Sequence, residues 1–364
     1  MPRIEVEVTH PDRVLFPDPS SQKGLTKRDL VDYYCEVADT MLPHLKGRPL
    51  TVQRYPRGIG ETGFFQQDFA DSLPDWMSGV EVAKEGGTVT HAMAERREAL
   101  GWLANQNCIT LHVWQSRQGR LHNPDRLVFD LDPSDSDFAV VRATARATAG
   151  VLDDLGLACY LQTTGSRGLH VVVPLRGDAD FDTARQFARD VADVVVADDA
   201  GHRTVEARKD KRGSRVYLDV MRNAYAQTAV APYSVRARAG APVATPLEWD
   251  ELAGRGLRAD RFTIRDIPKR LAGQTDPWAE MSRHARALTG PMQRVAKTSC
   301  LNCPAWSSVH AARNLSSHDL QQAQVDADRR RDSYHGRLSV DSSNGAGGVA
   351  QHHLPRPDRR ADDR

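Results

Sequence analysis

Two aspartates, Asp130 and Asp132, have the residue type and spacing that point most directly to chemistry in this 364-residue chain. They close the segment Leu-Val-Phe-Asp-Leu-Asp, in which apolar and polar residues alternate as in a half-buried β-strand. Side chains two positions apart in a strand point to the same face, so both carboxylates are presented together. Because adjacent anions repel unless a cation compensates them, and oxygen ligands favour magnesium or manganese over zinc, the pair predicts a divalent metal site.

A third carboxylate, Asp219, lies in Val-Tyr-Leu-Asp-Val, a second strand-like segment. The valines and leucine alternate toward one face and Asp219 points to the other, although aspartate is depleted in strands. Three strand carboxylates can hold two metal ions, one activating a hydroxyl and one supporting a triphosphate leaving group. The alternative is that Asp130 and Asp132 form only a solvated strand end.

The segment Thr164-Gly-Ser-Arg-Gly-Leu-His170 concentrates hydroxyls, backbone N–H groups and a cation in a short turn. Such turns form anion-binding nests, and Arg167 can pair with phosphate oxygens. Thr164, Ser166 and His170 lie beside it, so the segment predicts a phosphate pocket. An ordinary hairpin turn is the alternative.

Other side chains fit a nucleic-acid or nucleotide site less specifically. His112 lies in an apolar strand-like segment, where a histidine is more often a satisfied core residue. Phe64 and Phe65 lie in a polar segment, where they either stack on bases or anchor a loop to the core. Basic residues cluster between 203 and 215, which suits a phosphate backbone and also suits a solvated face.

The elements that position these residues alternate between helices and strands. A capping box at Thr26 and Asp29 predicts a helix whose apolar face continues to Met41 and which ends near Pro43. Strands are predicted over 127–132, 158–163, 169–174 and 216–220, with helices over 141–155 and from a cap at Asp182. The pattern indicates a mixed α/β or α+β fold.

Composition excludes several classes of protein. Hydrophobic residues make up 40% and charged residues 27%, ordinary values for a globular protein, and the net charge is +1. Since the chain has neither a long apolar run nor a signal-like N-terminus, we expect a cytoplasmic protein with no membrane contact. The five cysteines are an odd number, which favours reduced thiols over a disulfide framework.

The chain divides by composition near Met292. Residues 1–292 are predicted to fold, and residues 293–364 are polar, low in complexity and predicted to be disordered. Cys300 and Cys303 lie in that tail without a second ligand pair at a zinc-finger distance, so zinc is disfavoured.

Taken in order, Phe-Asp130-Leu-Asp132, Thr-Gly-Ser166-Arg-Gly-Leu-His170 and Tyr-Leu-Asp219-Val-Met-Arg-Asn223 resemble the three motifs of archaeo-eukaryotic primases. The best match is the polymerase domain of bacterial ligase D, and the resemblance covers about residues 5 to 290. It implies a primase-like fold of mixed, largely antiparallel sheets that form a cleft flanked by helices. It also implies a template-directed polymerase that fills gaps and extends double-strand-break ends in non-homologous end joining.

The resemblance implies a role for each matched residue. Asp130, Asp132 and Asp219 match the ligands of two Mn²⁺ or Mg²⁺ ions. Contacts to the incoming nucleoside triphosphate, with ribonucleotides preferred, are implied for His112, Thr164, Ser166, Arg167, His170, Arg222 and Arg236. Contacts to DNA are implied for Arg13 and Lys27 at the 5′-phosphate, for Phe64 and Phe65 at the template base, and for Arg212.

The sequence departs from the family pattern at three positions. Arginine stands at 13 and 167 where the family has lysine, and Arg222 stands where it has glutamine, which bears on triphosphate binding and sugar preference.

No nucleotidyl-lysine motif of a ligase is present, so Ku and a separate ATP-dependent ligase are the expected partners, at the nucleoid. The rival hypotheses are a non-catalytic DNA-end-binding scaffold and a metal-dependent nuclease.

Overall fold

The computed structural model of the protein describes residues 6–18, 24–135 and 137–301, with side chains as far as residue 296. Its main strands are β1 (Val14–Phe16), β2 (Leu25–Thr26), β3 (Leu50–Arg54), β4 (Phe64–Gln66), β5 (Gly79–Lys84), β6 (Gly87–Ala92), β7 (Cys108–Trp114), β8 (Arg126–Pro133), β9 (Tyr160–Thr163), β10 (Leu169–Pro174), β11 (Arg203–Thr204), β12 (Val216–Asp219), β13 (Thr228–Val230) and β14 (Pro246–Leu247). The helices are α1 (Lys27–Glu36), α2 (Ala38–Leu45), α3 (Arg97–Asn105), α4 (Phe138–Asp154), α5 (Phe181–Asp198), α6 (Lys209–Arg212), α7 (Ile267–Gly273) and α8 (Thr289–Leu301).

Two sheets form the framework. The larger has the strand order β11-β12-β8-β10-β9-β14, and in it only β11 and β12 pair in parallel. The smaller has the order β13-β7-β3-β4 and is antiparallel throughout. The predicted class of mixed, largely antiparallel sheets flanked by helices is confirmed.

Alternation along the strands decides which residues enter the core. Leu127, Phe129 and Leu131 of β8 are buried against the apolar stripes of α4 and α5, so the intervening aspartates point to the other face. In β7, Leu111 and its apolar neighbours pack with α1 and α3, which leaves His112 on the opposite face.

The faces that are not covered by helices meet across a small apolar cluster. Val128 and Val172 of the larger sheet pack there with Ala229 of the smaller sheet and with Trp278. The amide of Gln162 also donates to the carbonyl of Val230, 3.4 Å away, which joins β9 to β13. The polar residues beside this junction therefore border a cleft between the sheets.

The structure corrects two predicted helix ends. The helix that begins at Thr26, where the capping box is confirmed, stops at Glu36, and a second helix starts at Ala38 and contains Pro43. Val37, with ψ of 1°, serves as the C-cap of one helix and the N-cap of the next, so the chain changes direction while its side chain stays buried. The prediction of a single helix that continues through Met41 was therefore wrong.

Asp182 does not cap α5. The cap is Asp180, whose carboxylate accepts a hydrogen bond from the N–H of Thr183 at 2.8 Å. Asp182 lies in the first turn and pairs with Arg185 on the surface. The N-cap side chain has to reach the third amide of the helix, and only Asp180 has that spacing.

The predicted domain boundary after Met292 lies inside α8, and the rest of the predicted tail, with Cys303, lies outside the described residues. Cys300 is in α8, but its side chain is not among those described. Cys108 and Cys159 are free thiols, as expected. Among residues 6–18, 24–135 and 137–301, no helix is long and apolar enough to cross a membrane.

Asn223 replaces a missing strand beside β8. Strand β12 ends at Asp219, opposite Asp130, so Val128 has no strand partner on that side. The buried Asn223 side chain accepts from the Val128 N–H and donates to its carbonyl, both at 2.7 Å. It thereby holds β8 in register next to the aspartates.

We therefore expect Asn223→Ala to lower the free energy of unfolding by about 3 kcal/mol, because it leaves a buried N–H and a buried C=O without partners. Asn123→Ala is the matched control, since Asn123 is half-buried and donates one bond to the Ala179 carbonyl, at a cost of about 1 kcal/mol. Urea denaturation measures both values. Equal losses in the two variants would contradict the role assigned to Asn223.

Candidate active site

The three aspartates lie on one face of the larger sheet, where β12, β8 and β10 run side by side. Asp219 is directly opposite Asp130 across the β12–β8 ladder, and His170 is opposite Asp130 on the other side. The Nε2 of His170 is 3.5 Å from the Oδ1 of Asp130. Asp132, two residues further along β8, points to the same face. The carboxylates that the sequence predicted to be neighbours are brought together.

Asp132 is bracketed by two guanidinium groups. Arg167 approaches its Oδ1 at 3.4 Å and Arg212 its Oδ2 at 3.5 Å. Arg212 is buried: it donates to the carbonyls of Glu206 and Ala207 and stacks on the Tyr217 ring, 3.8 Å from its centroid. Arg212, expected at DNA, therefore contacts a carboxylate of the site.

Arg222 lies between the other two carboxylates. Its Nε is 3.6 Å from the Oδ2 of Asp130 and 3.5 Å from the Oδ2 of Asp219. The Oδ1 of Asp219 accepts from the Met221 N–H at 2.8 Å, so this carboxylate is fixed at one oxygen and presents the other.

The environment separates the pKa values of the two β8 carboxylates. Burial raises the pKa of Asp130, but His170, Arg222 and Arg236 outweigh it, and the result lies below the usual value. Burial and the nearby Asp130 raise the pKa of Asp132 above its usual value, although Arg167, Arg212 and Lys209 act against this. Asp130 is therefore the more firmly ionised of the pair.

In the hairpin turn between β9 and β10, two of the N–H groups of the predicted nest are bonded within the turn. The Thr164 hydroxyl is buried, donates to the Gly168 carbonyl and accepts from the N–H groups of Ser166 and Gly168. These bonds occupy the N–H groups of Ser166 and Gly168, and the turn also presents the side chains of Ser166 and Arg167. Gly168 is required, because a Cβ there would lie 2.1 Å from the Leu131 carbonyl oxygen.

The turn also borders an open cavity of about 350 Å³, whose lining does not include the three aspartates. Ser166 and Arg167 form one wall and Arg258 another, with Phe138 at the apolar side. Arg238 donates to the Ser166 hydroxyl at 3.1 Å, which adds a further cation at this edge.

The smaller sheet contributes the other wall of the cleft. His112 is half-buried on β7, and the centroid of the Phe65 ring lies 5.7 Å from the centroid of the His112 ring. Burial, and then the charges of Arg236, Arg222 and His170, lower the pKa of His112 to about 3, so its ring is neutral near pH 7. The interpretation of His112 as a plain core residue does not fit these cationic neighbours.

Phe64 and Phe65 are on β4 and not in a loop, and both are exposed, at 48% and 60%. They do not anchor the segment to the core. Arg54 covers the Phe64 ring at 5.7 Å, and the rest of these rings is open to a partner.

Arg13 and Lys27 come together where β1 pairs with β2. The Arg13 side chain is half-buried, and its guanidinium donates to the Pro56 carbonyl at 2.9 Å. Lys27 is 2% exposed, and its ammonium donates to the Asn105 carbonyl at 2.9 Å. Burial, and then Arg13 and Arg54, lower the pKa of Lys27. Of the two predicted phosphate contacts, Arg13 is therefore the accessible one.

The carboxylates fit a hard cation by their chemistry and direction. All donors are oxygens, and two Oδ2 atoms converge on one nitrogen of Arg222. In the part of the chain that the structure describes, no group of three His, Cys, Asp or Glu residues already has metal-holding geometry. Arginine side chains compensate the negative charge of the carboxylates here.

Sequence reasoning missed residues that support the aspartates from behind. The Arg212 guanidinium stacks on the ring of Tyr217. Tyr217 is two positions before Asp219 and on the same strand face, so the two-residue period of the strand could have identified Tyr217 as a neighbour of the site. Asn223 lies in the motif that contains Asp219, but no pattern in the sequence assigned it a role. The contacts of Arg222 with Asp130 and Asp219 had no signal in the sequence.

Comparisons with known proteins show which family this chain is similar to. A family model for the LigD primase-polymerase domain matches residues 26–278. The multifunctional non-homologous end joining protein LigD of Mycolicibacterium smegmatis is 37% identical over 266 residues, which cover 72% of this chain and 34% of that protein. LigD of Pseudomonas aeruginosa is 31% identical, over 79% of this chain and 34% of its own length. This chain thus spans about a third of these relatives.

A solved structure is also similar. The polymerase domain from Mycobacterium tuberculosis ligase D, in complex with DNA, superposes with a TM-score of 0.72 at 33% identity. The match covers 77% of this chain and 99% of that one.

The low pKa of His112 gives a direct test of the cleft's electrostatics. We expect its ring resonances to stay those of a neutral imidazole between about pH 5 and 8, where an ordinary histidine titrates near 6.5. Removing one cation with Arg236→Gln should raise its pKa while leaving it below the ordinary value, since burial is the larger cause. Proton–carbon NMR of the histidine ring checks both. A His112 that titrates near 6.5 in the unaltered protein would contradict the arrangement.

Proposed function

Since this chain belongs to the family of LigD primase-polymerase domains, a nucleotidyltransferase family, we propose that it extends DNA ends and fills gaps by template-directed nucleotide addition in non-homologous end joining. The observation that carries the proposal is the convergence of Asp130, Asp132 and Asp219 on one sheet face, ringed by cations. Among nucleic-acid proteins, a scaffold has no use for clustered carboxylates near an anionic partner.

The three carboxylates would hold two divalent ions, Mn²⁺ or Mg²⁺. When bound, these ions favour ionisation of the primer 3′-hydroxyl and neutralise charge on the leaving pyrophosphate. Asp130 and Asp219 present adjacent oxygens, and Asp132 presents a carboxylate between Arg167 and Arg212. In the reaction the primer oxygen forms a bond to the α-phosphorus of the nucleotide while the bond to the β-phosphate oxygen breaks.

The cationic residues around the cleft would bind the triphosphate. Arg236 and Arg167 supply guanidinium groups suited to phosphate oxygens, and Ser166 supplies a hydroxyl at the cavity wall. His112 is neutral and can donate a hydrogen bond from its ring without adding charge. His170 is opposite Asp130 and would orient that carboxylate. Thr164 would act through the shape of the turn, because its hydroxyl is used within it.

The exposed residues near the smaller sheet would bind DNA. Phe64 and Phe65 offer open aromatic faces on which a template base can stack. Arg13 offers an accessible cation for a 5′-phosphate, with Lys27 supporting it from beneath. Arg212 would influence the template only indirectly, through Asp132.

The finer parts of the proposal rest on the family. They are a preference for ribonucleotides, Ku and an ATP-dependent DNA ligase as partners, and a 5′-phosphorylated gap or end as the preferred DNA. The relatives are named as multifunctional end-joining proteins, and one neighbour is in complex with DNA. These names support DNA as a partner and a role in end joining here.

We expect Asp130→Asn to slow primer extension on a 5′-phosphorylated gap at least about a thousandfold, since it removes a carboxylate from the proposed metal site. Asp182→Asn, on the exposed first turn of α5, is the matched control and should extend normally. The assay uses Mn²⁺ with ATP or dATP in parallel, and the ribonucleotide should react faster.

Two other outcomes would count against the proposal. If Asp130→Asn extends the primer at the normal rate, the assigned active site is wrong. Binding of the gapped DNA without extension by either protein would favour an end-binding scaffold, and release of mononucleotides from the DNA would favour a nuclease.

A further inference from the structure

The position of Arg222 suggests a function beyond a nucleotide contact. Its Nε lies between the Oδ2 atoms of Asp130 and Asp219, at 3.6 Å and 3.5 Å. These oxygens are the ones left free by other contacts, because the Oδ1 of Asp219 accepts from Met221 and the Oδ1 of Asp130 faces His170. The guanidinium thus stands at the point on which the two carboxylates converge.

We propose that Arg222 is an internal cation that competes with divalent metal for Asp130 and Asp219, and that its side chain must swing away for metal to bind. The inference rests on the proposed function, which makes these aspartates metal ligands. Arg222 is here a positioning residue that sets the metal affinity of the site.

The local structure allows the side chain to move while the backbone stays. Arg222 is in the short 3-10 turn Met221–Asn223. The Asn223 side chain at the end of this turn makes two hydrogen bonds with the backbone of Val128 on β8 and donates a third to the carbonyl of Val220. The Arg222 side chain is 42% exposed, whereas those of Asp130 and Asp219 are 19% and 13% exposed. Rotation into the open cleft therefore releases the carboxylates without disturbing the turn.

The other arginines of the site differ from Arg222. Arg212 is locked by two backbone carbonyls and by the Tyr217 ring, so it stays beside Asp132 whatever binds. Arg167 reaches only Asp132. Of the cations named here, Arg222 is the one that touches two carboxylates and is free of such locks in the described structure. Metal entry at Asp130 and Asp219 therefore displaces this cation first.

The test is equilibrium binding of Mn²⁺ to the whole chain without nucleotide or DNA, with free Mn²⁺ measured by electron paramagnetic resonance. We expect Arg222→Gln to bind Mn²⁺ about tenfold more tightly, because a half-exposed competing charge is removed. Arg222→Lys keeps a cation and should stay close to the unaltered protein. Arg283→Gln, a change of equal charge at a 77% exposed site paired with Glu280, should have no effect.

A second measurement does not depend on binding stoichiometry. Without metal, Arg222→Gln should have a lower melting temperature than the unaltered protein, since Asp130 and Asp219 then repel each other without compensation. Added Mn²⁺ should raise its melting temperature by more than it raises that of the unaltered protein.

The outcomes separate this inference from the proposed function. Asp130→Asn should abolish the Mn²⁺ binding in every background. If it does, and Arg222→Gln binds Mn²⁺ no more tightly than the unaltered protein, the competition is refuted while the metal site stands. If Mn²⁺ binding is unaffected by Asp130→Asn, the metal site itself is wrong.

Discussion

Repulsion among three carboxylates is the constraint on which the site depends. The pairing register of β8 and β12 places Asp219 directly beside Asp130, and the strand period places Asp132 on the same face. Partly buried anions at this spacing are tolerated only with nearby cations. The chain supplies the guanidinium groups of Arg167, Arg212 and Arg222 from three different segments, and the His170 ring also contacts Asp130.

The same constraint explains the supports around the aspartates. Asn223 completes the hydrogen bonding of β8 where β12 ends, which keeps Asp130 in register. Tyr217 and two backbone carbonyls fix Arg212, which keeps a cation beside Asp132. Gly168 lets the hairpin turn approach β8, so that Arg167 reaches the same carboxylate. The smaller sheet then closes the cleft with His112 held neutral by burial and by surrounding cations.

Much of this arrangement could be predicted because it follows from local periodicity. Alternation in β8 and β12 fixed which faces carry the aspartates, and the capping box at Thr26 located the start of α1. The break at Val37, the exposure of Phe64 and the burial of Arg212 could not be predicted, because each depends on neighbours distant in sequence. A basic run resembles a solvated surface until the fold decides which of its members turns inward.

We propose that Asp130, Asp132 and Asp219 hold divalent metal. Diffraction from crystals grown with Mn²⁺ and a non-hydrolysable nucleoside triphosphate, recorded near the manganese absorption edge, tests it most directly. We predict anomalous density bounded by the three carboxylates, with the Arg222 guanidinium moved away from Asp130 and Asp219. Manganese density elsewhere in the chain, with these carboxylates still paired to arginine, would contradict the account.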